Sequence, residues 1–180
     1  MKVNELFYSV QGEGFYTGTP AVFVRLAGCN LQCPFCDTDH AHGQEMTEED
    51  IVRHVCQYPA RHVVLTGGEP GMQLTSSLIE RLHASGRYVQ VETNGTYPLP
   101  ESVDWVTCSP KTGGKLAVNR IDELKVVYLG QDLAAYEQLP AQVYCLQPCS
   151  GKNTESVVDY VLQHPRWRLS LQTHKFIGVR

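Results

Sequence analysis

Three cysteines fall within eight residues, Cys29-Asn30-Leu31-Gln32-Cys33-Pro34-Phe35-Cys36. Thiolates at C-x3-C-x2-C spacing are soft ligands, the donors that select zinc or iron–sulfur clusters. A structural zinc site is closed by four protein ligands, and His40 or His42 would complete a Cys3His set. Three thiolates alone suit a [4Fe–4S] cluster with one iron left without a protein ligand, free to hold a substrate or cofactor. The spacing leans to the cluster but leaves both open. The chain has seven cysteines, an odd count. No signal peptide and no long apolar run is read in Met1–Phe15, so a reducing cytoplasm is the expected compartment, where thiols and metal ligands prevail over disulfides.

Such a motif must be positioned, and the chain supplies short apolar runs suited to strands. They are Ala21–Leu26, His62–Leu65, Tyr88–Val91, Trp105–Thr107, Leu124–Tyr128, Gln142–Leu146 and Trp167–Leu171. Their near-continuous apolar character predicts strands covered on both faces in a parallel sheet. Helical patterns lie between some of them. Thr47 with Asp50 three residues on predicts a capped helix carrying Ile51, Val55 and Cys56 inward. Leu74, Leu78, Ile79 and Leu82 form a second apolar face, stopped at Gly86. A third comprises Val157, Val158, Val161 and Leu162, ending before Pro165. Alternation of this kind predicts right-handed βαβ units. Small, polar and charged residues follow each strand: Gly28-Cys29, Thr66-Gly67-Gly68-Glu69-Pro70, Glu92-Thr93-Asn94-Gly95, Cys108-Ser109-Pro110-Lys111, Gln147-Pro148 and Gln172-Thr173-His174-Lys175. Carboxyl ends of parallel strands are where such folds build their sites. One lined cavity is expected there.

The 180 residues are 42% hydrophobic and 19% charged, enough for one folded domain spanning 1–180 and too apolar for disorder. Lys+Arg 15 against Asp+Glu 19 leaves a net charge of −4, without the basic stripe that nucleic-acid binding requires. No stretch of about 18 apolar residues predicts a membrane span. A complete eight-unit barrel needs about 250 residues and seldom fewer than roughly 200; an incomplete one fits. Gly12-Glu13-Gly14 lacks dinucleotide-binding spacing, and Gly113-Gly114-Lys115 lacks the rest of a phosphate loop.

The cysteine triplet after a first strand, Gly67-Gly68-Glu69-Pro70 after the next and Glu92-Thr93-Asn94-Gly95 after the third resemble the radical S-adenosylmethionine (SAM) superfamily. Within it, nearly the whole chain resembles the 7-carboxy-7-deazaguanine synthase family. The closer match is carried by Val10-Gln11-Gly12-Glu13-Gly14, Cys36-Asp37-Thr38, Ser109-Pro110-Lys111, Gln147-Pro148 and Trp167–Lys175. The resemblance implies an α/β fold, an incomplete TIM-like βα barrel with mainly parallel strands. It implies that Cys29, Cys33 and Cys36 each bind one iron of a [4Fe–4S] cluster and that SAM chelates the fourth. A 5′-deoxyadenosyl radical would then take hydrogen from C6 of 6-carboxy-5,6,7,8-tetrahydropterin. Ring contraction and loss of ammonia would give 7-carboxy-7-deazaguanine, a queuosine and deazapurine precursor. SAM would be regenerated and Mg2+ required.

By the same resemblance, Phe35, Asp37, Gly68, Ser109, Pro110, Lys111 and the Gln147-Pro148-Cys149-Ser150 loop line the SAM site. Thr38 is the one protein ligand to Mg2+, an ion that keeps much of its water. Val10, Gln11, Gly12, Arg25 and Thr66 meet the substrate, the Arg25 guanidinium holding the substrate carboxylate. The terminal carboxylate, carried by the main chain of Arg180, reaches the substrate as well. An electron donor such as a flavodoxin or ferredoxin would supply the cluster. A barrel this short would lose some outer helices, and a homodimer would cover the exposed apolar sheet.

Without the resemblance several residues keep plainer readings. Arg25 inside an apolar strand needs a partner, a structural carboxylate or a ligand. Glu92 could hold a ribose or pair with Lys125, and Thr38, between Asp37 and Asp39, could cap a turn. Cys56 and Cys145 read as buried small hydrophobes. Cys108 and Cys149 lie at strand ends without the compact spacing of a second cluster. His174 reads as a core or interface residue, and His54, His62, His83 and His164 as surface or helix-end residues. The rival functions are a glycyl-radical activase and a zinc-stapled binding module.

Overall fold

The apolar runs become strands: those from His62, Tyr88, Trp105 and Val143 reach one or two residues past the apolar run, and the last stops short at Leu169. The computed structural model describes residues 1–36 and 38–180. The chain runs through β1 (Lys2–Val10), β2 (Pro20–Leu26), the two-residue β3 (Gln44–Glu45), α1 (Glu48–Val55), β4 (His62–Gly67), α2 (Ser76–Ala84) and β5 (Tyr88–Thr93). It continues through β6 (Trp105–Cys108), β7 (Glu123–Tyr128), a one-turn α3 (Ala134–Glu137), β8 (Val143–Pro148), α4 (Thr154–Gln163), β9 (Trp167–Leu169) and α5 (Thr173–Ile177). Among the described residues the strands form one open sheet in the order β3-β1-β2-β4-β5-β6-β7-β8-β9. Every pairing from β2 to β9 is parallel. The sheet is the incomplete barrel that the length requires.

Helices cover only part of it. Among the described residues none connects β5 to β6 or β6 to β7. Two cores result. One joins α1 and α2 to Val22, Val24, Val63, Leu65, Val89 and Val91 on alternate positions of β2, β4 and β5. The other joins Val157 of α4 to Leu124, Val126, Tyr144 and Leu146 of β7 and β8. The intervening strand residues turn to the lumen, by the two-residue period of a strand. There they include Arg25, Thr66, Gln90, Glu92, Thr107, Glu123, Lys125 and Gln147. The strands are thus apolar on the helical face and substantially polar inside.

Two elements complete the lumen. β1, which no apolar run had marked, pairs antiparallel with β2, and a register shift between Val3 and Glu5 breaks its alternation. Residues 11–19 then cross beneath the cavity. Phe15 stacks on Trp105, which Tyr16 meets edge-on, and Tyr16 also meets His62 and Tyr88 at the amino ends of β4 and β5. His62 is therefore buried rather than superficial, and it is paired with Gln90 Oε1 at 2.7 Å. Burial pushes its imidazole below the ordinary histidine range.

Two helical expectations are corrected. Cys56 is exposed, because it is the C-cap of α1 and lies past the buried stripe of Ile51 and Val55. Leu162 is 77% exposed near the outer end of α4. At the other end of α1 the capping box forms as the sequence indicates: Thr47 Oγ1 accepts from Asp50 N at 3.1 Å, and Thr47 N donates to Asp50 Oδ2 at 3.4 Å. Thr47→Ala is expected to cost about 1 kcal/mol. Urea unfolding should show a lower midpoint with an unchanged slope; an unchanged midpoint would show the cap to be idle.

Candidate active site

A cavity of about 600 Å³ opens at the carboxyl ends of the strands. Its wall holds Cys29, Cys33, Phe35, Cys36 and Thr38 from the loop after β2, and Gly68 from the loop after β4. Ser109 and Lys111 follow β6, and Gln147, Pro148, Cys149 and Ser150 close β8. Val10, Gln11, Gly12, Arg25, Thr66 and Arg180 line the same space. Pro110 is the exception: it joins Ser109 to Lys111 but is not part of the cavity wall. Asp37 lies outside the described residues.

Backbone proximity fixes this rim. Gly68 N donates to Leu26 O at 3.0 Å and Glu69 N to Gly28 O at 2.8 Å, drawing the loop after β4 onto the loop after β2. A Cβ on Gly68 would stand 1.8 Å from the Gly28 carbonyl oxygen, so only glycine fits. Glu69 is fully buried and accepts from Gly71 N at 2.8 Å, Thr93 Oγ1 at 2.7 Å and Asn94 N at 2.7 Å. One carboxylate thereby ties the β4 and β5 loops together. Across the cavity, Lys111 Nζ donates to Ser109 Oγ at 2.5 Å. Burial lowers its pKa, and the nearby Lys125 charge adds to the effect. Ser150 adopts φ 48° in a tight turn, where Asn153 Oδ1 accepts from Cys149 N at 2.8 Å. A non-glycine residue held left-handed beside a cavity is the kind of strain that functional loops store.

The thiols fit an iron–sulfur cluster. Cys33 is raised by burial and by the Cys29 and Cys36 thiols, while Lys111 opposes the rise. Among the described residues no three His, Cys, Asp or Glu side chains close around a single ion. A four-iron cluster needs no such closure, because each thiolate takes a different iron. His42, one proposed zinc ligand, is instead exposed and paired with Asp39 Oδ2 at 3.4 Å. Asp39 Oδ1 also accepts from Ala41 N at 3.0 Å, so the turn here is built by Asp39 rather than Thr38.

Residues 23–138 match the Radical SAM superfamily. The 7-carboxy-7-deazaguanine synthase of Bacteroides thetaiotaomicron is 62% identical over 179 residues, 99% of this chain and 98% of the relative. That of Bradyrhizobium diazoefficiens is 42% identical, covering 99% and 98%. The crystal structure of QueE from Escherichia coli superposes with a TM-score of 0.80 at 31% identity, over 94% of this chain and 92% of that one. The chain belongs to the 7-carboxy-7-deazaguanine synthase family of radical SAM enzymes. A synthase of this family is a lyase that carries a [4Fe–4S] cluster and SAM.

Beneath the rim lies a charge network that motif reading left mostly unassigned. Lys125, nearly buried, meets Glu13 Oε2 at 2.6 Å and Glu92 Oε2 at 3.2 Å. Gln11 Nε2 donates to Glu92 Oε1 at 2.9 Å and Gln172 Nε2 to Glu13 Oε1 at 2.8 Å. Glu92 thus takes the pairing with Lys125. Burial alone would raise Glu13; the Lys125 ammonium and hydrogen bonds from Lys125, Gln172 and Gln147 outweigh it and lower the carboxyl to about 2. Burial likewise opposes the charge on Lys125, but Glu13, Glu92 and Glu123 raise it well above the lysine range. The Gln11–Gly14 motif thus has a structural reason. Its polar side chains reach into the network, and Gly14, at φ +69°, passes where a Cβ would stand 2.1 Å from Glu123 Oε1.

Arg25 has its structural carboxylate as well. Its Nε donates to Glu5 Oε1 at 2.9 Å and its Nη1 to Thr38 Oγ1 at 3.3 Å. Glu5 and Arg25 are register partners across β1 and β2, and Glu5 also pairs with the Arg180 guanidinium. Ser9 Oγ donates to Arg180 O at 2.7 Å. The Arg180 side chain thus joins the site along with its main chain. Glu5 was missed because β1 carries no apolar signature. His174 is placed by Gly12: a Cβ there would meet its ring at 2.1 Å.

The network predicts opposite responses to acid. Glu13 titrates lower folded than unfolded, so its stabilisation is present above pH 4.5 and fades as pH falls toward 2. Lys125→Met leaves two facing carboxylates without their cation and should cost about 3–5 kcal/mol at neutral pH. Acid should partly restore that variant by protonating them. Urea denaturation between pH 3 and 7 distinguishes the slopes; parallel profiles would contradict the assignment.

Proposed function

We propose that the chain converts 6-carboxy-5,6,7,8-tetrahydropterin to 7-carboxy-7-deazaguanine with loss of ammonia, in a Mg2+-dependent reaction that returns SAM unchanged. The observation that carries this reading is the juxtaposition in one cavity of the three thiols with Arg25, Thr38 and Thr66. When bound, the cluster and SAM supply the hydrogen-abstracting radical.

The chain's own groups bind and orient. Arg25 spends Nε on Glu5, which turns the guanidinium and leaves its outer edge for a substrate carboxylate. Thr38 Oγ1, beside Arg25 Nη1, offers an oxygen to Mg2+ close to that carboxylate. Val10, Gln11, Gly12 and Thr66 form the wall against the pterin edge, and the terminal carboxylate at Arg180 contributes from the open side. Phe35, Asp37, Gly68, Ser109, Pro110, Lys111 and Gln147–Ser150 are assigned to SAM. A flavodoxin or ferredoxin supplies the electron, and a second copy of the chain covers exposed apolar surface.

Anaerobically reconstituted protein with SAM, dithionite, Mg2+ and the tetrahydropterin should form 7-carboxy-7-deazaguanine without any partner protein. Failure to turn over with a full cluster would overturn the substrate assignment. Arg25→Lys keeps the charge but loses the two-pronged donor. It should raise KM at least tenfold while SAM cleavage persists; loss of SAM cleavage in a folded variant would remove Arg25 from the substrate wall.

A further inference from the structure

In the Glu92-Thr93-Asn94-Gly95 segment, the roles above leave the Asn94 side chain unexplained. Asn94 follows β5 and is 8% exposed. The orientation of its carboxamide is fixed. Its Oδ1 accepts from Thr96 N at 2.9 Å and from Thr96 Oγ1 at 2.6 Å. A backbone amide can only donate, so the oxygen must face Thr96 and the nitrogen must face away. Nδ2 donates to Asn30 Oδ1 at 3.1 Å, and Asn30 Nδ2 donates to Thr96 Oγ1 at 3.0 Å, closing a ring of three side chains. The backbone is held too, because Asn94 N donates to buried Glu69. Nδ2 also donates to Cys29 Sγ, 3.9 Å away.

We propose that Asn94 raises the reduction potential of the [4Fe–4S] cluster through an N–H···S hydrogen bond to the Cys29 thiolate. Reduction adds one electron to the cluster and its thiolates, and a donor fixed at a ligand sulfur favours the more negative state. The ring of Asn94, Asn30 and Thr96 keeps the donor aimed, so no reorganisation accompanies the electron's arrival. Asn94 is thus a positioning residue acting through Cys29. The inference rests on Cys29 as a cluster ligand and is independent of the pterin assignment.

The test is a potentiometric titration of the anaerobically reconstituted protein, with dithionite as reductant and the EPR signal of the reduced cluster as readout. Iron and sulfide content are measured alongside. Asn94→Leu keeps the branched shape of the side chain and removes the donor. It should retain the cluster and shift the midpoint to more negative potential, leaving a smaller fraction reduced at any fixed potential. Thr96→Val removes the hydroxyl that steadies the amide and should give a smaller shift of the same sign. An unchanged midpoint in Asn94→Leu at full cluster content overturns the proposal. If that variant binds no cluster, an unchanged midpoint in Thr96→Val overturns it instead. Wild-type protein that takes up no cluster would overturn the ligand assignment itself, an outcome distinct from failure to turn over the pterin.

Discussion

The site depends on how closely three strand ends can approach one another. The loops after β2 and β4 touch backbone to backbone, and the fully buried Glu69 carboxylate ties the end of β5 and its loop to them. Gly68 permits the contact by having no Cβ to strike the Gly28 carbonyl. The cysteine loop, the turn at Gly68 and the Asn94 segment are therefore one connected unit rather than three separate loops. Such preorganisation suits a cofactor site, whose groups then need not move as the cofactor binds.

The lumen below is the second constraint. Filled barrels place branched apolar side chains inside. This chain keeps its apolar residues mainly on the helical face and gives much of the lumen to Glu13, Glu92, Glu123, Lys125 and Gln147. Such a polar interior is stable only when its members are satisfied. The loop between β1 and β2 achieves this by carrying Gln11 across to Glu92 and Glu13 across to Lys125. That arrangement joins the floor of the cavity to the stability of the fold.

How much of this was legible follows from the same geometry. The parallel strands were visible because their helical-face residues are apolar without break, and the capped start of α1 because Thr47 and Asp50 are local. β1 was hidden: its register shift spoils the period of two, and its lumen-facing Glu5 reads as a solvent residue. Glu5 and Glu13 were invisible as partners because their contacts span the fold, from residue 5 to 180 and from 13 to 125, whereas the pairing of Glu92 with Lys125 was one of two readings open to the sequence. The cysteines, glycines and strand-end segments were legible through resemblance and through their recurrence at one rim. The buried state of His62 was not, since a polar residue opening a strand gives no sign of the aromatic plug above it.

The central claim is that three cysteines of this rim leave one iron for SAM. Electron–nuclear double resonance on the reduced, oxygen-protected protein with SAM labelled by 15N at its amino group and 17O at its carboxylate tests it directly. The account predicts couplings from both nuclei to the cluster spin, which require that both groups sit on one iron. A spectrum without either coupling from a protein of full cluster content, or a colourless protein whose thiols and a histidine enclose zinc, would contradict it.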